Sequence, residues 1–429
     1  MPARLFFPQR RALGLAVDEE LSPALLEKVT YLGAKLPSFR DAHEALDVLL
    51  RSEIGLKRVE RITERIGSER VAERESRIAD WSDLPLIRRD QAPAGVKPPG
   101  VAAVLADGGR FQTCEREEEA TSHWHEYKAG VLQILSSEVH TSDPCPQIPE
   151  VYLQRDRIDR LTREISQVAA VAEPSRSRSP EESRPEIEQP LITPQEIIPC
   201  GYEPPEVVDR DVVASRRDSR AFGKHLAAQA WSLGLFAALR KAWISDGQNW
   251  LWTEYEKYFK PFGFVPILDF IHALTHVYAA AMAGRPLAVG WEVYVRWITW
   301  IWHGNVLPVI AELAARQQEL GPPGNDDGET SPRRLIAHTL TYLQNQKERM
   351  NYPAYRRQGL PITSAHMEST VKQLNRRIKG SEKYWSERGS EAVLQLVADQ
   401  LSTSRPLHAF WSERPQRQTG YRTYARSAA

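Results

Sequence analysis

Val101-Ala-Ala-Val-Leu-Ala-Asp-Gly-Gly-Arg-Phe111 is the stretch on which the fold turns. An apolar, β-rich run ending on Asp107 reads as a strand, and the Gly108-Gly109 pair after it suits a tight turn. Downstream, Trp124-His-Glu-Tyr-Lys-Ala-Gly-Val-Leu-Gln-Ile-Leu135 reads as a neighbouring strand, and Asp211-Val-Val-Ala214 as a short third one. Phe222 to Leu239 then has Leu226, Ala230, Leu233 and Ala237 on one side, the pattern of an amphipathic helix. It leads into a strand ending on Asp246. A helix from about Gln248 to Phe259 and an apolar strand, Phe264-Val-Pro-Ile-Leu-Asp269, come next. Strands alternating with helices predict an α/β fold, a central mixed sheet with helices on its faces.

Residues 1–92 read as helical. Ser22-Pro23 starts one helix with Leu25, Val29 and Leu32 at helical spacing, and Ser38 caps a second. A third begins at Leu56 and extends to about Trp81. Short turns between them suggest a helix-turn-helix, with Lys57, Arg58, Arg61 and Arg65 along one side of the last helix. Glu60, Glu64 and Glu69 alternate with these cations, so a solvated charged face is the competing reading. The expected organisation is an N-terminal helical region to residue 92, then the first part of an α/β domain over 93–285. An all-helical insertion over 286–350, rich in tryptophan, follows, and a basic helix and helical tail over 351–429 complete it. Within the second part, residues 171–205 are rich in Pro, Ser, Glu and Arg and lack the apolar content to pack.

The chain has 429 residues, with 56 basic side chains against 56 acidic ones, so no bulk positive charge advertises nucleic acid and local clustering must carry that argument. Cys114, Cys145 and Cys200 lie far apart with no Cys-x-x-Cys spacing, which speaks against a disulfide framework or structural zinc and fits a reducing cytoplasm. Apolar stretches are broken before they could span a bilayer, so the sequence reads as a soluble intracellular protein that does not enter the membrane.

Three acids stand out. Asp107 and Asp246 end strands, and Glu368 begins a basic helical stretch, Met367-Glu-Ser-Thr-Val-Lys-Gln-Leu-Asn-Arg-Arg-Ile-Lys379. Two carboxylates at strand ends and one on a helix can hold two divalent cations about 3.5–4 Å apart, the pattern of a DDE nuclease or transposase. Glu368, Val371, Asn375 and Ile378 share one helical face, flanked by Lys372, Arg376, Arg377 and Lys379. Arg356 and Arg357 lie upstream. That net-positive stretch suits a phosphate backbone running over carboxylates. An ordinary surface helix is the plain alternative, as is turn chemistry for an aspartate before glycine. Asp269 also ends a strand and competes with Asp246 as a ligand; with His272 it stands at the start of a helix, where the two could brace the site. The tryptophans between 291 and 302 read as core residues or as a platform for an unpaired base.

Taken together, Ala106-Asp-Gly-Gly-Arg-Phe-Gln112, Trp124-His-Glu-Tyr-Lys128, Ser245-Asp-Gly-Gln-Asn-Trp250, Pro266-Ile-Leu-Asp-Phe-Ile-His-Ala273, Arg349-Met-Asn-Tyr-Pro-Ala-Tyr-Arg-Arg-Gln-Gly-Leu-Pro361, Ser364-Ala-His-Met-Glu-Ser369, Asn375-Arg-Arg-Ile-Lys-Gly380 and Lys383-Tyr-Trp385 resemble the ISKra-type bacterial insertion-sequence transposases over nearly the whole chain. The resemblance implies an RNase H-like catalytic domain with a helical insertion and a preceding helix-turn-helix. It implies catalytic, metal-holding roles for Asp107, Asp246 and Glu368, with two Mg²⁺ (or Mn²⁺) ions, and makes Asp269 and His272 an Asp-x-x-His element. The partners it implies are transposon ends and a target DNA duplex, bound by a homo-oligomer in a cytoplasmic, nucleoid-associated setting. Members of that family usually carry a cysteine-paired zinc-binding segment ahead of the part resembling Arg4-Leu-Phe-Phe-Pro8, and this chain begins about where that segment would end. Two other readings stay open: a catalytically inactive or truncated transposase-derived DNA-binding protein, and a helical scaffold whose basic helix binds a partner protein.

Overall fold

Apolar runs at the predicted positions pair into one mixed sheet. The computed structural model describes residues 21–51, 53–114, 123–165, 202–380 and 382–419. Its strands are β1 (Val101–Thr113), β2 (Trp124–Ser136), β3 (Glu206–Ser215), β4 (Arg240–Ser245), β5 (Val265–Leu268) and β6 (Tyr384–Trp385), in the order β3-β2-β1-β4-β5, with β6 added to the far end of β1. β2 runs antiparallel to both β1 and β3, whereas β4 is parallel to β1 and β5 to β4. Val101 to Ala106 are all buried, as a strand covered on both faces requires.

β1 is longer than its apolar run. The expected turn at Gly108-Gly109 does not form; the strand continues through both glycines to Thr113, opposite β2. The reason is packing. A Cβ at Gly109 would lie 2.2 Å from the Tyr127 ring, so glycine here admits a buried aromatic cross-strand neighbour rather than a chain reversal.

The N-terminal helices are α1 (Pro23–Lys35), α2 (Phe39–Leu50), α3 (Leu56–Asp83) and the single turn α4 (Leu86–Arg89). Ser22 caps α1 as expected, and Ser38 and Asp41 form a reciprocal capping box on α2. Between the strands lie α5 (Arg155–Ile165), α6 (Ser219–Ser232), α7 (Asn249–Tyr258) and α8 (Phe270–Met282). α6 is shorter than the Phe222–Leu239 pattern, because Gly234 at φ +72° turns the chain into a 3-10 turn over Leu235–Ala237. Of the Ser/Pro-rich 171–205 stretch, residues 171–201 lie outside the described residues.

The predicted helical block resolves into α9 (Leu287–Trp302), α10 (Val306–Leu320) and α11 (Pro332–Gln346), with the expected loop between the last two. Trp297 and Trp302 are core residues, their indole nitrogens donating to Glu312 and to the Cys145 carbonyl, which excludes them as base-stacking platforms. The chain continues through α12 (Tyr352–Arg357), α13 (Ala365–Ile378), α14 (Glu387–Leu401) and α15 (Pro406–Thr419). α13 packs over β1 and β2, and α14 lies against β3 and the long α3. No helix among the described residues is long and apolar enough to cross a membrane.

Candidate active site

Register brings the acids together. β1 and β4 pair in parallel from Val101↔Arg240 to Leu105↔Ile244, and continuing that register by two residues sets Asp107 beside Asp246. β4 and β5 pair from Ala242↔Val265 to Ser245↔Leu268, and one further step sets Asp246 beside Asp269. β4 and β5 thus stop one residue short of Asp246 and Asp269, and Asp107 lies at the same level partway along β1, which runs on to Thr113. Each aspartate closes an apolar run, where the side chains leave the core and a carboxylate can reach the sheet's edge. Glu368 arrives in the first turn of α13, the helix laid across β1 and β2.

Asp269 ties these pieces to one another. Its amide donates to the Ser245 carbonyl at the end of β4 (2.9 Å), and its carboxylate caps α8 through the His272 amide (3.1 Å). The other carboxylate oxygen, Oδ1, accepts from the Ser364 amide at the start of α13 (2.8 Å), and Oδ2 also meets His272 Nδ1 at 2.5 Å. This fully buried carboxylate thus fixes the mutual placement of the Asp246 strand end, the His272 helix and the Glu368 helix.

The electrostatics record the crowding. Burial, then the charge of Asp246, pushes the Asp107 carboxyl up to about 6, against an opposing pull from His272 and the Gly108 amide. Burial likewise raises Glu368 to about 7, with Asp269 and Asp107 adding to it and His272 and Lys372 opposing. For His272, burial alone would lower the pKa, but the Asp269 hydrogen bond and the charges of Asp269, Asp246 and Glu368 carry it up to about 10. The five groups form one electrostatic unit with an excess of negative charge.

That excess fits a divalent cation. Carboxylate oxygens are the hard donors that Mg²⁺ and Mn²⁺ take. Asp107 engages one oxygen with the Gly108 amide (2.6 Å), Asp246 accepts only from the exposed Gln248 (3.0 and 2.7 Å), and Glu368 accepts no hydrogen bond among the described residues. These three can turn oxygens to a cation. Asp269, His272 and Glu368 also offer ligand atoms within 4.8 Å of one another. Asp246 has both oxygens on Gln248, an exposed residue, whereas Asp269 is wholly buried with its oxygens on the His272 and Ser364 amides and on His272 Nδ1, so Asp269 and His272 fit a bracing role and Glu368 the ligand role.

The predicted phosphate-contacting residues divide. Lys57, Arg58, Arg61 and Arg65 line an exposed side of α3, and Arg357, Lys372, Arg376 and Lys379 are exposed as well. Arg356 and Arg377 are not available to a phosphate. Arg356 is wholly buried, paired with Asp143 and lying 4.0 Å over the Trp302 ring. Arg377 donates to the Gly33 and Pro37 carbonyls and sits between the Phe39 and Trp385 rings. Both belonged to basic clusters in the sequence, but each side chain found buried acceptors and aromatic faces instead.

Sequence reasoning missed two contacts that set the site. One is the Ser364 amide on Asp269. The other is the buried Tyr127 hydroxyl, which donates to Asn375 Oδ1 (2.8 Å) and pins α13 over the sheet. Asn375 had signalled itself only by sharing a face with Glu368. Partners 95 and 248 residues apart leave no local pattern. No protein-family model, no curated protein and no solved structure matches this chain.

Proposed function

We propose that the protein is a metal-dependent DDE transposase with an RNase H-like catalytic domain, which cuts DNA strands at the ends of an insertion sequence and joins them to a target duplex. The observation that carries the reading is the alignment of Asp107, Asp246 and Asp269 across β1, β4 and β5 with Glu368 electrostatically joined to them from α13. The motif resemblance in the sequence gives this constellation its reaction class. α9 to α11 would be the helical insertion and α1 to α3 the DNA-contacting module.

Asp107, Asp246 and Glu368 would hold two Mg²⁺ (or Mn²⁺) ions, which when bound activate a water or DNA 3′-hydroxyl and stabilise the leaving oxygen. The chain's own residues do the rest. Asp269 holds the strand end and both helices in fixed relation, so the carboxylates need little reorganisation when phosphate arrives. His272, kept cationic by Asp269, offsets part of the anionic charge around an approaching phosphodiester. From the half-buried Glu368 outward, the exposed Lys372 and Arg376 and the C-cap Lys379 follow at spacings of four, four and three along one side of α13. That stripe gives a phosphate backbone a path of about 16 Å leading to the carboxylate. DNA would be held by a homo-oligomer that brings two ends together.

The test is cleavage of labelled DNA carrying the element's own flanking ends, wild type against Glu368→Gln, in Mg²⁺ or Mn²⁺ and then in EDTA. Cleavage that requires both the metal and Glu368 supports the reading. Binding without cleavage in either metal would replace it with a DNA-binding protein that has lost catalysis.

A further inference from the structure

We infer that Tyr342 and Gln346 of α11 are positioning residues that hold the Asp246-Gly247 turn, so that the helical segment α9 to α11 governs how tightly the site takes its cation. The inference rests on the reading of Asp246 as a ligand.

Two hydrogen bonds descend from one face of α11 onto the backbone of that turn. Tyr342 Oη donates to the Asp246 carbonyl (2.8 Å), and Gln346 Nε2, one helical turn on, donates to the Gly247 carbonyl (3.1 Å). Carbonyls just past a strand end have no ladder partner, and a helix from elsewhere in the chain supplies the donors. Both donors are themselves held. The Tyr342 ring stacks on His276 at 4.0 Å, and Thr339 donates to the His276 carbonyl. His276 lies one turn beyond His272 on α8, so Tyr342 bridges the helix that carries His272 and the turn that carries Asp246. Gln346 accepts from Arg349 (2.8 Å), whose guanidinium lies 4.0 Å over the Trp252 ring.

The turn is shaped to receive this face. Gly247 sits at φ +103°, a region closed to side chains, and a Cβ there would come within 2.7 Å of the Tyr342 ring. Asp246 thus projects from a turn whose backbone is fixed from one side by α11, while among the described residues its carboxylate is held from the other by the exposed Gln248 alone. Loosening the α11 contacts lets the carboxylate drift without removing a ligand. The expected signature is weaker metal binding with the DNA contacts unchanged.

The experiment measures Mn²⁺ binding to the DNA-free protein by electron paramagnetic resonance, alongside the metal and DNA dependence of cleavage. Tyr342→Phe keeps the ring on His276 and deletes one donor; Gln346→Met deletes the other at similar volume. Each is expected to raise the Mn²⁺ dissociation constant about 10-fold, with KM for DNA held within about twofold. Thr341→Ala, on the exposed side of the same helix, is expected to leave Mn²⁺ affinity at the wild-type value. Lower thermal stability with wild-type Mn²⁺ affinity in both clamp variants would reduce these residues to packing and overturn the inference. Wild-type Mn²⁺ affinity in Asp246→Ala would instead remove the ligand reading beneath it.

Discussion

Charge is concentrated out of water in two regions of this molecule, and it is handled in opposite ways. In the seam between α3 and α14, buried carboxylates meet guanidinium groups, Arg70 with Asp399 and Arg74 with Glu391, and on α15 Arg414 pairs with the half-buried Glu69 of α3. Arg70 and Asp399 are only 4% and 5% exposed. Glu391 also accepts from Ser215 Oγ and the Arg216 amide, and Gln395 serves both Arg74 and Asp399. Around Asp107 on β1 and just past the ends of β4 and β5 the carboxylates are as crowded, and among the described residues the cationic group set against them is the half-buried His272. Burial, with neighbouring carboxylates adding to it, displaces two of these carboxyls upward, Asp107 to about 6 and Glu368 to about 7. Paired charge holds two helices together, whereas crowded and unpaired carboxylates mark a candidate functional site.

The sharpest consequence is catalytic. Asp107→Ala, Asp246→Ala and Glu368→Ala are each expected to reduce strand cleavage by at least about a thousandfold while retaining DNA binding in a gel-shift assay. Cleavage that survives all three substitutions would leave the site without its proposed chemistry. In the seam the same kind of change has a different readout. Arg74→Met strands Glu391 in the interior and is expected to cost about 3–5 kcal/mol of stability. Chemical denaturation would measure it, with metal affinity unaltered in whatever fraction stays folded. A stability loss below about 1 kcal/mol would mean that water reaches the seam and that its charges are not held as a joint.

How much of this contrast could be read from sequence depends on where the partner lies. The apolar run before Asp107 announced β1, and the runs before Asp246 and Asp269 announced β4 and β5. That the three acids share one level is a fact of strand register, which no local pattern encodes. α14 was harder. Its Glu391, Gln395 and Asp399 recur every four residues, a pattern that names no partner, and α3 brings Arg70 and Arg74 at the same spacing and runs against it. Polar side chains on two helices thus form a buried face neither helix could announce alone. Arg356 and Arg377 misled for the same reason: their acceptors, Asp143 and the Gly33 carbonyl, lie 213 and 344 residues away.

The comparison also predicts opposite signs in stability. Both Asp107 and Glu368 have folded-state values above their unfolded ones, so the protons they bind stabilise the native state below about pH 4 and that contribution is lost as pH rises through about 6 and 7. His272 acts in the same direction at higher pH, its contribution fading only through about 10. In EDTA, the melting temperature should therefore fall between pH 5 and 8, in steps of roughly half a unit. Glu368→Gln should flatten that fall and raise the metal-free melting temperature at pH 8 by about 2–4 °C, the shift given by about 1 kcal/mol in a large domain. Mg²⁺ should do the same for the wild type and release protons as it binds near pH 6.5. A Glu368→Gln protein that melts lower than wild type in EDTA would show that the carboxylate is already compensated and that the site resembles the seam.

The smallest effects, residue by residue, concern the cations outside both regions, and here the buried arginines become internal controls. Each exposed cation that neutralises a phosphate releases a counterion, so removing it should lower the slope of log affinity against log salt by about one. Lys372→Ala, Arg376→Ala and Lys379→Ala should each do so, and Arg61→Ala and Arg65→Ala should as well if α3 also lies on the duplex. Arg377→Ala should not, because its guanidinium never meets solvent; it should lower the melting temperature and leave the slope at the wild-type value. The α13 and α3 sets can be scored separately on the same DNA. Slopes that change only for α13 would confine phosphate contact to the stripe running out from Glu368 and leave the cations of α3 as a solvated face. Slopes that change for neither set would favour a protein partner for the basic helix, because an interface free of phosphate has no condensed counterions to release.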